Sequence, residues 1–258
     1  MDIGDSEIGD LAELKEEIRV RLVAGFWDYD DLLEWVSDSE VVQPDDAAVL
    51  LRSMWDERLA EQAAWPDTGD YGRLKDTFTQ LESEGILARM CFSCCMTCAT
   101  SEIDDERTLN PNPPDWYRYR EWAYTFFHEQ DALRLAESPP QLILGYSSFR
   151  AHPDLPAALV RASYDGDKAA AEEVKDRTDT MVGERIVAVA KDFGLTTFWS
   201  GSRHQRIEVE INQWRKPLPS RGPAVAVAQG ESRSWPAPVR WLGTLLKPLG
   251  GGLGRGLG

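Results

Sequence analysis

The chain predicts an α+β fold: an N-terminal helical region, then a small mixed or antiparallel sheet of about five strands with packed helices, closing in a β-hairpin. Three observations predict it. Apolar residues recur at helical spacing through the first 85 positions. Short apolar runs bounded by turn residues take over from Ile86. After Trp214 the composition breaks, since residues 217–258 hold six of the fifteen prolines and nine of the twenty glycines. Such a stretch predicts a disordered tail. The expected division is 1–85, 86–214 and 215–258.

Residues 11–38 read as helix, short break, helix, with Leu11, Leu14, Ile18 and Leu22 on one face. A long helix is expected from Pro44, where Asp45 and Asp46 occupy the first turn as a helix start prefers. In "DYGRLKDTFTQLESEG", Leu74, Phe78 and Leu81 line a third helical face that Gly85 stops. "ILARMCF" (86–92) follows as a strand. "SCCMTCATSEIDDER" predicts a helix opening at Ser93, a favoured N-cap residue. Three prolines within 111–114 make a loop. "WAYTFFH" (122–128) is a strand, "DALRLAES" a short helix capped by Asp131, and "QLILGYSSF" (141–149) a further strand. Residues 150–175 read as a polar connection or a helical excursion. An amphipathic helix then runs to Gly194, and "LTTFW-SGSRH-QRIEVEI" is the hairpin.

A formal net charge of −16 argues against nucleic-acid binding, which needs a basic surface. No stretch of about 18 apolar residues predicts a transmembrane span. The acidic start "MDIGDSEIGDLAELKEE" lacks the layout of a secretory signal, so a cytoplasmic protein with reduced cysteines is expected. From Arg215 onward seven basic residues stand against one acidic residue, Glu231. Val239–Leu246 would form two helical turns with an apolar face beside Arg240 and Lys247. That segment suits weak contact with a membrane surface or a protein partner. Packing back on the acidic body is the simpler expectation.

All four cysteines fall within "CFSCCMTC", residues 91–98. Cys91, Cys94, Cys95 and Cys98 stand at i, i+3, i+4 and i+7, one face of a helix. Three chemistries fit. The thiols can be small buried hydrophobes in a core stripe. Cys95 and Cys98 can form a thiol–disulfide redox pair, activated at a helix N-terminus. Cys94, Cys95 and Cys98, with Cys91 as a further candidate, can ligate zinc with a fourth donor from elsewhere. His128, ending a neighbouring strand, is the best-placed fourth donor; His152 and His204 fall in loops. The spacing of "DGDKAAAEE" does not match a calcium loop. No Ser/His/Asp order, phosphate loop or paired-carboxylate motif stands out. The favoured reading is a non-enzymatic domain with a Cys/His zinc site, and the thiol-redox enzyme is the alternative.

The segments "FSCCMTC", "FFHEQD", "LILGYSSF" and "GLTTFWSGSRHQRIEVEINQW", in that order, resemble an uncharacterised bacterial domain-of-unknown-function family. Its pattern is Phe-x-Cys-Cys-x-Thr-Cys followed by Phe-Phe-His-x-Gln-Asp. The resemblance covers roughly 85–214 and leaves Cys91 outside the pattern. It implies a constellation of Cys94, Cys95, Cys98, His128 and Asp131, and it implies no activity.

Overall fold

The computed structural model describes residues 4–113 and 117–220, with side chains from Asp10 onward. Residues 4–220 belong to one compact unit. The expected disordered tail beyond Ser220, with the Val239–Leu246 segment, lies outside the described residues.

Four helices come first: α1 (Gly4–Ala24), α2 (Tyr29–Asp38), α3 (Pro44–Ala63) and α4 (Gly69–Ser83). Asp28 caps α2 by accepting the Asp31 N–H at 2.9 Å. The apolar stripe of α1 buries Leu14, Ile18 and Leu22 against Leu32, Val36, Leu51 and Trp55 of α2 and α3. These helices therefore have a core of their own. The far end of α1 and the buried face of α4 do something else: Ala24, Leu74, Phe78 and Leu81 join the core under the sheet.

The sheet is mixed and has five strands in the order β1-β2-β3-β5-β4. These are β1 (Ile86–Arg89), β2 (Ala123–Phe126), β3 (Gln141–Ser148), β4 (Thr197–Phe198) and β5 (Ile207–Glu210). β1 and β2 are parallel, and every other neighbouring pair is antiparallel. The closing hairpin is β4 with β5, as the alternation predicts. α8 (Lys168–Asp192) and α4 cover one face, where Ile86, Ala123, Leu142, Leu144, Ile207 and Val209 meet Val182, Ile186 and Val189. The opposite face carries α5 (Met96–Glu102), the crossover between the parallel strands, over Leu87 and Phe126. Two further helices, α6 (Glu129–Leu133) and α7 (Ala157–Tyr164), flank β3 in sequence. No helix among the described residues is long and apolar enough to cross a membrane.

The helix expected near 176–194 begins eight residues earlier, at Lys168. Asp167 caps it by accepting the N–H groups of Ala169 and Ala170 at 2.9 and 3.1 Å. This gives "DGDKAAAEE" a capping role.

From Asn212 to Leu218 the chain is strapped to the body. Asp70 of α4 accepts the N–H groups of Asn212 and Gln213, each at 2.7 Å, and its own N–H donates to the Gln213 carbonyl. The Lys216 ammonium sits over Phe26 at 4.6 Å and donates to the Gly25 carbonyl, while Leu218 is buried among α1–α3. This strap approaches α4 closely at Gly69, whose φ is +54°; a Cβ there would stand 2.2 Å from the Gln213 carbonyl oxygen. Gly69→Ala is therefore expected to cost about 3 kcal/mol, combining left-handed backbone and overpacking. Gly166→Ala, also at positive φ but with nothing within 4 Å, should show only the backbone part, about 1–2 kcal/mol. Urea unfolding of both variants checks this; equal losses would remove the close-approach argument.

Candidate metal centre

Parallel pairing places the carboxyl ends of β1 and β2 side by side, so the segments leaving them emerge together. Backbone pairing continues beyond the strands. The Phe127 N–H donates to the Arg89 carbonyl at 3.2 Å, Phe92 N–H to Phe127 at 2.8 Å, and Glu129 N–H to Ser93 at 3.0 Å. To turn while keeping these bonds, Cys91 and Ser93 adopt left-handed backbone, with φ of 49° and 61°. Neither is glycine, so each costs about 1–2 kcal/mol. Such conformations persist where surroundings impose them and cluster at functional sites.

This turn corrects two local expectations. β1 stops at Arg89, so Cys91 lies past the strand. α5 opens with Cys95 as its N-cap, two residues after the expected Ser93. Ser93 is drawn into the pairing with Glu129 and cannot take the extended backbone of an N-cap. The helical stripe of four cysteines therefore does not form. Cys91 alone joins the main core, where burial pushes its thiol pKa up. For that residue the core reading is the one the structure supports.

The other three thiols meet at the start of α5. The ligand atoms of Cys94, Cys95 and Cys98 all lie within 4.8 Å of one another. Cys94 is exposed and the other two are half-exposed, all as free thiols. The Cys95 sulfur makes no conventional capping hydrogen bond, yet it faces the unpaired N–H groups of the first helical turn. The Cys98 N–H lowers its pKa most, followed by the thiols of Cys98 and Cys94 and then the Thr97 N–H. Cys98, hydrogen-bonded to Cys94 and Cys95, is pushed up to about 12. The hydrogen bonds within the cluster thus lower the Cys95 thiol and raise that of Cys98.

His128 and Asp131 lie next to this turn but do not join the three sulfurs in one metal-sized group. β2 ends at Phe126, and His128 is the N-cap of α6. Its Nδ1 accepts the Asp131 N–H at 3.3 Å, while its Nε2 stands 3.1 Å from Asp131 Oδ2. Asp131, expected to cap this helix, instead occupies the third helical position and reaches back to the His128 N–H. Its carboxylate also receives Arg206, which donates as well to the Ile143 carbonyl at 2.7 Å. Arg206 was not a sequence candidate; the only local signal is a cation opening the last strand.

This network suits neutral His128: Nδ1 accepts, Nε2–H donates, and Arg206 already balances Asp131. Burial lowers its pKa, outweighing the attraction of Asp131, and His152 is lowered by burial as well. The unfolded chain then binds protons that the folded chain refuses. Stability is expected to fall as pH drops below about 6.5. His128→Asn should flatten part of that slope in unfolding measured between pH 7 and 5. An unchanged slope would assign the effect elsewhere.

On the sheet face beside α5, Met96, Thr100, Tyr124, Phe126, Gly145 and Arg206 line a cleft of about 120 Å³. Arg203 also lines it, and both arginines are engaged by carboxylates, Arg206 by Asp131 and Arg203 by Glu172.

The chain belongs to the family described as the domain of unknown function DUF6891, which it matches over residues 9–218. No curated protein and no solved structure matches it. The resemblance read from the cysteine and histidine segments is borne out. The match is wider than 85–214, running from α1 to the buried Leu218.

Proposed function

We propose that this domain binds a thiophilic divalent ion, zinc first among them, through Cys94, Cys95 and Cys98. It acts as a metal-holding rather than catalytic module of a reducing, cytoplasmic setting. One observation carries the reading: three sulfurs converge within 4.8 Å on a turn whose backbone is already bent to present them. Zinc–thiolate bonds of about 2.3 Å require sulfurs roughly 3.8 Å apart in a tetrahedron. The cluster therefore needs to contract by no more than about 1 Å to hold the ion. A cation also relieves the crowding of three thiolates, which otherwise share protons. His128 supports the site from behind, as the cap of the segment paired with the cysteine turn, and its ring is not needed as a donor.

The lowered Cys95 and raised Cys98 favour a second reading, a dithiol with Cys95 as nucleophile and Cys98 as resolving thiol. Cys94 separates the two. The metal site needs it, and the dithiol does not. Elemental analysis of tag-free protein is expected to show about one zinc per chain, falling below about a tenth in Cys94→Ser. Metal well below stoichiometry in the parent, with reversible Cys95–Cys98 oxidation intact in Cys94→Ser, would establish the dithiol reading instead.

A further inference from the structure

We infer that the tri-thiol centre keeps one coordination position for a thiolate brought by a second molecule, and that the fold stands without its ion. The inference rests on the metal reading above and goes beyond it. Zinc takes four ligands, and closed protein sites supply all four. This chain has four cysteines and three histidines, and each can be placed. Cys91 is buried in the core past the end of β1 and outside the sulfur group. The His128 ring is held in the capping box of α6. His152 stacks edge-on against Trp122 at 4.9 Å and accepts the Asp154 N–H. His204 is in the hairpin loop and does not join the group. No carboxylate of the described residues joins the three sulfurs either.

Among the described residues no fourth donor joins the trio, so the fourth is brought by a second molecule. Its class follows from the three already present. A trithiolate set makes a soft site, and soft sites select soft ligands. Four thiolates around zinc is a standard set. Cys94 is exposed, so a second molecule can reach the ion. An incoming thiol loses its proton to solvent, forms the fourth metal–sulfur bond and displaces a bound water; no redox change occurs. Repeated exchange of this kind would pass the ion to a molecule richer in thiols.

The same geometry frees the fold from the ion. α5 is fastened by Ala99, buried together with Ile103 just beyond its end, against Leu87 and Phe126. The cysteine turn is fastened by backbone bonds to Phe127 and Glu129. No sulfur of the trio holds either element to the body in these contacts.

The test uses the full chain loaded with Co²⁺ as a spectroscopic stand-in for zinc. Thiolate-to-metal charge transfer reports the three cysteines, and the visible bands report the fourth ligand. Glutathione is expected to shift the visible bands saturably and raise the charge-transfer intensity by about a third, three thiolates becoming four. S-methylglutathione should do neither. Chelator-treated protein should keep its circular dichroism and a cooperative thermal transition. A charge-transfer band that ignores millimolar glutathione would overturn the open position while leaving the metal site standing. Absence of any such band would remove both. Unfolding on chelation would overturn the independence of the fold.

Discussion

Asp131→Ala is expected to destabilise the protein by about 2–4 kcal/mol and to loosen the cysteine turn with it. The carboxylate is 2% exposed and carries three interactions at once. It accepts Arg206, it takes the backbone N–H of His128, and it fixes the His128 ring. Truncation leaves the partly buried guanidinium without its counter-charge and opens the capping box of α6. Breaking a buried ion pair from one side costs about 3–5 kcal/mol, and the one-third exposure of Arg206 reduces that. The effect should reach the cysteine cluster because the residue after His128 bonds to Ser93. Urea unfolding measures the stability, and maleimide labelling of Cys94 and Cys95 measures the turn. The pair Asp131→Ala with Arg206→Ala should cost less than the two single losses added. A loss under about 1 kcal/mol for Asp131→Ala would show that the network does not hold the turn.

Where a residue's local signal agrees with its long-range contacts, the fold is legible in the sequence. Leu14, Ile18 and Leu22 recur at helical spacing and are buried as that spacing predicts. The last strand alternates buried and exposed residues from Ile207 to Glu210, so the hairpin is legible too. Ser93 shows the opposite case. Its type favours an N-cap, but its carbonyl is taken by Glu129, 36 positions away, and no local pattern encodes that bond. His128 was legible as a neighbour of the cysteines and not in its role. Histidine is absent from the favoured caps, so His-x-x-Asp hides a capping box. Asp167 is legible as an N-cap, since Asp before "KAAAEE" is an ordinary helix start. The trio Cys94, Cys95 and Cys98 is what the family resemblance leaves once Cys91 falls outside its pattern, and a helix opening at Ser93 would place all three in its first two turns. The three meet instead through a turn, an N-cap and a first helical turn.

Zinc affinity is expected to rise by at least about 100-fold between pH 6 and pH 8. Only thiolates bind the ion, so each thiol still protonated must release its proton on loading. Every such proton adds a factor of ten in affinity per pH unit. Cys98, pushed up to about 12 by its bonds to Cys94 and Cys95, stays protonated throughout this range and contributes over all of it. Cys95 is lowered by the Cys98 N–H, so its contribution ends first as pH rises. The sign is fixed by the chemistry: acid competes with the metal, and alkali ceases to help once a thiol is already ionised. Competition with a chromophoric chelator of known proton affinity, at pH 6, 7 and 8, gives the slope. Proton release into weak buffer on zinc addition gives the same number independently. Cys98→Ser should both weaken binding and remove about one proton from the count. A pH-independent affinity, or release of no protons, would mean that the metal is held by groups other than these thiols.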